Sequence, residues 1–362
     1  MPAAPVESGS LFVWRPYFLS DLLTQHWYRN GPVAFFLLPL SWLFCGLARW
    51  RRKRLQPATL SRRVPIIVVG NISVGGTGKT PMVVWLVEYL RVHGYTPGVV
   101  SRGYGGESRE QPLAVEARSD ARVVGDEALL IARRTGCPVR VCRDRVAAIE
   151  ALLADGRVDV VISDDGMQHY RMPRDIEIAM IDGARRFGNE LCLPAGPLRE
   201  PLSRLDEVDF RVVTGSMADE DEYAMEFAGE ELINLRSPGK RMYLSALEDV
   251  RVNAVAGIGN PARFFFRLES AGLRVERHPF PDHHSYTKED FAFDNDRMIV
   301  MTEKDAVKCG VFADERFWYM PVVARPDPAF ALDLLNRLKE VERGQETARN
   351  SGVPGDQGAA DL

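Results

Sequence analysis

The chain has 362 residues, 46% of them hydrophobic and 27% charged, so a packed core is available and global disorder is excluded. That length suits two domains of ordinary size or one enlarged domain. The formal net charge of −4 by itself indicates no polyanionic partner, but the charge is unevenly spread. From Leu22 to Val87 there is no Asp or Glu, while Arg29, Arg49, Arg51, Arg52, Lys53, Arg54, Arg62, Arg63 and Lys79 make the stretch +9 against −13 for the remainder. Five cysteines (Cys45, Cys137, Cys142, Cys192, Cys309) form no CxxC, and their odd number fits no closed disulfide framework, so a reduced compartment is the simpler expectation. Six histidines without a Cys/His cluster at ligand spacing argue against a structural zinc site.

The first element is an uncharged run rich in Phe, Leu and Trp between Asn30 and Arg49. As a helix it would extend roughly 27 Å, just short of the roughly 30 Å hydrocarbon core of a bilayer. Pro39 interrupts its middle, and Trp27, Tyr28, Trp42 and Trp50 stand where interfacial aromatics belong. Arg49-Trp-Arg-Arg-Lys-Arg54 then supplies charge for anionic headgroups. A cleaved signal peptide is disfavoured, because the run begins some thirty residues in and strong basic charge follows it. A buried core helix and a full span are alternatives to the preferred expectation, a helix lying in or dipping into one leaflet.

After the linker Leu55–Arg63 the chain alternates in the α/β manner. Pro65–Val69 reads as a buried strand, Lys79–Val92 as the helix after it, and Gly98–Ser101 as a second strand. Asp126–Arg134 reads as a helix, and Val158–Ser163, Ile176–Ile181 and Phe210–Val213 as further strands. A second set follows, with strands at Val252–Ala256, Leu273–His278 and Met298–Met301 and helices from Pro261 through Ala271 and at Pro328–Glu342. The expected fold is α/β: a P-loop NTPase-like doubly wound parallel sheet with a second, smaller α/β lobe and an N-terminal membrane-associated helix. The expected divisions are a membrane-docking segment (1–54), a P-loop core (55–215), an inter-lobe connection (216–250), the smaller lobe (251–343) and a disordered Gly/Ser/Asp/Gln-rich tail (344–362).

The strongest chemical signal is Ser73-Val74-Gly75-Gly76-Thr77-Gly78-Lys79-Thr80, between a predicted strand and a predicted helix. It follows the pattern G-x-x-x-x-G-K-[ST] with Ser73 at the first glycine position. Gly75, Gly76 and Gly78 let backbone N–H groups turn inward around phosphate oxygens. Lys79 would reach the β/γ-phosphates and Thr80 would place its hydroxyl on Mg²⁺. The alternative, a glycine-rich turn that binds nothing, is countered by the strand–loop–helix context. Val160–Asp165 adds an apolar strand ending in two carboxylates, either of which could hold Mg²⁺; the alternative for Asp164 and Asp165 is a solvated turn.

Seven segments in order match one family. Gly70–Pro81, Ser101–Tyr104, Val124–Glu127, Asp164–His169, Pro194–Pro201, Phe280–His284 and Thr302–Asp305 together resemble tetraacyldisaccharide 4'-kinases, the lipid A pathway kinases of Gram-negative bacteria. The resemblance runs over nearly the whole chain. It implies transfer of the ATP γ-phosphate to the 4'-hydroxyl of tetraacyldisaccharide 1-phosphate, giving lipid IVA at the cytoplasmic face of the inner membrane, with no obligate protein partner. By resemblance, Asp126 is the candidate general base and His283 the residue that holds or tunes it, with His284 as the alternative histidine. The competing roles are a helix N-cap for Asp126 and a surface loop pair for the histidines. Arg199 and Glu200 are candidates for phosphate contact and for holding that arginine or a metal, against a structural salt bridge; Arg102 and Gln168 are secondary candidates for phosphate or substrate contact. Met167 departs from the family, which commonly has an aromatic there, and is expected to alter packing only.

Two other functions compete. Thr302-Glu-Lys-Asp305 superficially matches the guanine-reading [NT]KxD element of a GTPase, but Lys304 and Asp305 are adjacent, so the spacing is wrong. A non-catalytic membrane adaptor is opposed by the intact Lys79, Thr80 and acidic pair. Nucleic acid is not expected, because the basic cluster adjoins a greasy segment instead of a polar groove.

Overall fold

The computed structural model describes residues 27–28, 32–106, 110–215, 218–293 and 296–350. In the first lobe the strands are β1 (Ile66–Gly70), β2 (Pro97–Ser101), β3 (Leu113–Ala114), β4 (Val139–Val141), β5 (Val160–Asp164), β6 (Ile176–Asp182), β7 (Phe210–Thr214) and β8 (Tyr223–Ala228). The second lobe contributes β9 (Glu231–Asn234), β10 (Arg241–Tyr243), β11 (Arg251–Ala256), β12 (Arg274–Pro279), β13 (Ile299–Thr302) and β14 (Phe317–Met320), after which β15 (Val323–Pro326) returns to the first sheet. The helices are α1 (Pro32–Arg54), α2 (Lys79–Val92), α3 (Ala121–Val124), α4 (Asp126–Thr135), α5 (Arg145–Ala154), α6 (Pro261–Ser270), α7 (Glu303–Cys309) and α8 (Pro328–Asn350).

The nine-stranded sheet has the order β15-β8-β7-β6-β1-β5-β2-β4-β3, parallel from β8 to β4 with antiparallel strands at both edges. Its centre is dictated by sequence: Ile66–Gly70 is buried on both faces, as a parallel strand covered by helices must be. Ile67 and Val69 point to a core closed by α2, α4 and α8, whereas Ile66 and Val68 point to one closed by α5 and the 167–205 loops. Register pairs Val69 with Asp164, which sets the end of β1 beside the end of β5 at the carboxyl edge of the sheet. A Cβ on Gly70 would lie 2.5 Å from Met167 Cγ, so a glycine there lets fully buried Met167 pack beneath β1. The six-stranded second sheet, β10-β9-β14-β13-β11-β12, carries its own core.

Several expectations need correction. The expected connection at 216–250 supplies β8 to the first sheet and β9 and β10 to the second; residues 216–217 lie outside the described residues. The expected tail is helical as far as Asn350, and α8 packs on the first lobe through Phe330, Leu334 and Leu338, with Gln345 donating to Asp175 at 3.5 Å. Residues 351–362 lie outside the described residues, as do 1–26 of the N-terminal segment. Cys45 and Cys192 are joined by a disulfide, contrary to the expectation of thiols alone, while Cys137, Cys142 and Cys309 are free and buried.

Helix α1 is not a core helix, because only 11% of its apolar window is buried. It runs through Pro39 and touches the body along one stripe. Ala34 and Ser41 are buried there, Ser41 Oγ donates to the Cys192 carbonyl at 2.8 Å, and Phe44 and Cys45 pack on the first lobe. Phe35, Phe36, Leu40, Trp42, Leu43 and Trp50 are exposed.

One buried ion pair fixes the loop after the site. Arg204 Nη2 lies 2.5 Å from both carboxylate oxygens of Glu177 on β6, and both residues are buried. Arg204→Ala leaves that carboxylate with Arg174 as its remaining cation and is expected to cost about 3 kcal/mol. The check is the urea midpoint at unchanged slope; a midpoint equal to that of the parent chain refutes the prediction.

Candidate active site

The loop 73–80 joins β1 to α2, and its curvature rests on local bonds. Asn71 Nδ2 donates to the Ser73 carbonyl at 2.7 Å, Val74 N to Pro197 O at 2.8 Å and Arg199 N to Ile72 O at 2.6 Å. Ser73 is not among the residues of positive φ, so glycine is not required at that position; Gly75 and Gly78 are in that region, at φ 117° and 84°. Helix α2 starts at Gly78 with no side-chain cap, which leaves its first N–H groups available to an anion. Lys79 Nζ lies 3.4 Å from Asn71 Oδ1 and 3.6 Å from Asp165 Oδ1, and Thr80 is on the first helical turn.

The acidic pair closes the other side. Asp164 ends β5 and Asp165 follows in the left-handed region (φ 50°), a strained conformation of the kind that clusters at functional sites. Asp164 is buried, and Ser101 Oγ donates to its Oδ2 at 3.2 Å while Oδ1 has no partner. Burial, with the charges of Glu127 and Asp165 adding to it, pushes its carboxyl up to about 7. Asp165 is shifted the other way: burial opposes its charge, but Lys79 and Arg199 outweigh it and hold the carboxyl below the usual range. Beneath the pair, Arg145 donates to Cys142 O at 2.6 Å, and burial lowers its guanidinium to about 10. Sequence reasoning missed this buried arginine, which sits at the start of an unpredicted helix.

Arg199 pairs with Asp165 at 3.4 Å. Glu200 is buried and takes hydrogen bonds from Tyr170 and from Gln168 Nε2 (2.9 Å), with Arg204 Nε 3.9 Å away. Gln168 also donates to Asn71 O at 3.0 Å, and both Gln168 and Glu200 line the same cavity as Arg199. Arg102 is exposed on the cavity wall.

The structure brings Asp126 and His283 together from opposite lobes. His283 Nδ1 lies 3.0 Å from both Asp126 oxygens across 157 residues of sequence. Asp126 is not an N-cap: Gly125 is, at φ 86°, where a Cβ would lie 2.6 Å from the Tyr104 carbonyl oxygen. Asp126 is instead the first helical residue, and its Oδ1 also accepts from Glu127 N at 2.9 Å. Burial opposes its charge, yet the His283 hydrogen bond and the ammonium charges of Lys304 and Lys308 hold it below the usual carboxylate range. His284 points elsewhere, its Nε2 3.2 Å from Asp290. Asp305 is fully buried and accepts from Gly257 N at 2.9 Å and Thr302 Oγ at 2.6 Å, so it cannot read a guanine base.

These groups share one cavity of about 980 Å³. Its walls carry Gly75–Thr80, Asp164, Asp165, Tyr104, Glu127, His283 and Lys304, and at the far side Phe44, Leu47, Ala48 and Arg51 of α1. Asp126 does not line it; His283 does. The part α1 plays in that wall was not foreseen from sequence.

A phosphate loop beside an acid-ended central strand defines a P-loop nucleotide-binding phosphotransferase. More narrowly, the chain belongs to the tetraacyldisaccharide-1-P 4'-kinase family, whose profile matches residues 33–339. It is 46% identical over 336 residues to the tetraacyldisaccharide 4'-kinase of Nitrosococcus oceani, covering 92% of this chain and 99% of that one. With the Methylobacillus flagellatus tetraacyldisaccharide 4'-kinase the identity is 50% over 323 residues, 88% of this chain and 96% of the other. The fold matches a crystal structure of LpxK from Aquifex aeolicus in complex with ATP at a TM-score of 0.70 and 27% identity, covering 84% of this chain and 99% of that one.

Proposed function

We propose that the protein transfers the γ-phosphate of ATP to the 4'-hydroxyl of tetraacyldisaccharide 1-phosphate, forming lipid IVA in lipid A biosynthesis at the cytoplasmic face of the bacterial inner membrane. The observation that carries this is the continuity of the cavity: the phosphate loop and His283, the cavity-facing member of the pair with Asp126, share it with Phe44, Leu47 and Ala48 of α1. Leu47 both lines the cavity and is exposed, so the same apolar helix faces the surroundings and the space that holds the phosphate loop.

The phosphate-loop N–H groups and Lys79 hold the phosphates, and Arg199 adds a second cation. The sugar hydroxyl oxygen bonds to the γ-phosphorus as the bond to the ADP oxygen breaks, and the hydroxyl proton ends on Asp126. Thr80, Asp164 and Asp165 fit a magnesium ion, since Asp164 Oδ1 and Asp165 Oδ1 are buried without hydrogen-bond partners. Among the described residues no cluster of three His, Cys, Asp or Glu could cage a metal alone, which suits an ion that arrives with nucleotide phosphates. When bound, it would neutralise charge on the transferring phosphoryl group.

The decisive assay is transfer of label from γ-³²P-ATP to tetraacyldisaccharide 1-phosphate in detergent micelles with Mg²⁺. A labelled lipid is expected; none, with ATP still bound, overturns the substrate assignment.

Helix α1 is proposed to lie in one leaflet, because one stripe is fastened to the body while the rest is apolar and exposed. Phe36→Asp with Trp42→Asp is expected to lower partitioning onto anionic vesicles by at least about tenfold and leave ATP affinity unchanged. Equal sedimentation with vesicles for both chains contradicts it.

A further inference from the structure

Lys304 is the second residue of α7 in the smaller lobe, and its ammonium reaches the opposite lobe. Nζ lies 3.0 Å from Glu127 Oε1, 3.1 Å from Asp282 Oδ1 and 3.3 Å from His283 Nε2. Three partners match the three donors of an ammonium, which has no acceptor. Burial disfavours its charge, but Glu127, Asp126 and Asp282 outweigh it and hold the ammonium firmly protonated.

The consequence lies on the imidazole. A donor at Nε2 requires a lone pair there, so the ring proton must be on Nδ1, pointing at Asp126. We propose that Lys304 is a positioning residue that locks His283 as the neutral Nδ1–H tautomer, with its Nε2 lone pair held by the ammonium. This rests on the phosphotransfer assignment for its catalytic meaning, though not for the tautomer itself. Held so, the ring donates its Nδ1–H to Asp126 and orients that carboxylate, which takes the sugar hydroxyl proton as the oxygen bonds to phosphorus; the ring itself stays neutral, its one Nε2 lone pair being taken by Lys304. The facing groups are Asp126 and Glu127 from α4, Tyr104 from the loop after β2, Asp282 from the same loop as His283, and Lys304 and Lys308 from α7. Lys304 and Lys308 are the cations in this set, and Lys304 alone is on the Nε2 side; Lys308 Nζ is 3.8 Å from Asp126 Oδ2. Without Lys304, nothing cationic opposes a second ring proton at Nε2, and an imidazolium paired with Asp126 makes that carboxylate a poorer proton acceptor.

Two measurements test this on the full chain. In ¹⁵N-histidine-labelled protein, the resonance pair abolished by His283→Gln is expected to show a protonated Nδ1 and an unprotonated Nε2 near pH 7. An Nε2–H ring or a doubly protonated one overturns the proposal, whatever the activity. In steady-state kinetics, Lys304→Gln is expected to lower kcat about 10- to 100-fold with KM for ATP unchanged, and to move the acid limb of the rate profile to higher pH. Lys304→Arg, which keeps the charge, restores the parental acid limb. A Lys304→Gln profile parallel to the parent would mean that Lys304 only braces the lobes, and the proposal fails. Should the tautomer be found as expected in a protein that phosphorylates no lipid, the functional assignment fails and the positioning of His283 stands.

Discussion

Lys79→Ala is expected to weaken ATP binding and to lower kcat as well, with kcat/KM down by about 10²–10³ from the lost phosphate contact alone. The structure argues for a larger loss, because Lys79 has a second task. Its ammonium is 3.6 Å from Asp165, and it is a main opponent of the burial that pushes Asp164 up to about 7. Removing the cation raises both carboxyls, so Asp164, already pushed up by burial, holds less of the charge that a magnesium ion would need. The sign gives a pH signature: the variant should recover part of its rate as pH rises from 7 to 9, where Asp164 is driven to carboxylate. Calorimetric ATP titration and steady-state kinetics across that range check it. Unchanged affinity and rate would contradict the phosphate-loop assignment outright.

Legibility followed the strength of local signals. Strands such as Ile66–Gly70 and Val160–Asp164 announce themselves because burial on both faces demands uninterrupted apolar residues, and the glycines of 73–80 sit between a strand and a helix as a phosphate cradle requires. Elements that depend on distant partners did not show. Tyr223–Ala228 is half-exposed and becomes a strand by pairing with Phe210–Thr214 on one side and Val323–Pro326 on the other. Helix α8 continues past Gly344 because its Gln345 is buried against the first lobe, not because 344–350 have an apolar face.

The site divides the same way. Lys79, Thr80 and the acid pair were readable from pattern, whereas Asp126 and His283 are 157 residues apart and were found only through the family resemblance. Cys45 and Cys192, separated by 147 residues, carried no pairing signal at all. Thr302–Asp305 is legible as a family segment without a task for its lysine; a lysine beside an aspartate, in a segment that joins Phe280–His284 in the same resemblance, is the clue available. Met167, expected as a departure from the family to alter packing, is fully buried against Gly70.

The second large effect concerns the cross-lobe dyad. Asp126→Asn keeps the shape of a residue whose side chain is buried, but removes the charge that collects the hydroxyl proton. Turnover is expected to fall by roughly 10²–10⁴ while ATP affinity is retained. Because the amide cannot take a proton, the pair works only as a unit: His283→Ala should cost a comparable factor, and the double variant little more than either alone. Stability moves with pH in a defined direction as well. The Asp126 carboxyl is depressed in the folded chain, so its contribution is fully present above the unfolded value of about 3.9 and is lost as pH falls through the folded value. Asp126→Asn therefore loses that contribution at neutral pH, and the stability gap between variant and parent should close in acid. Additive losses in the double variant would mean that the two residues serve separate steps, and near-normal turnover by purified Asp126→Asn would remove Asp126 from the proton path altogether.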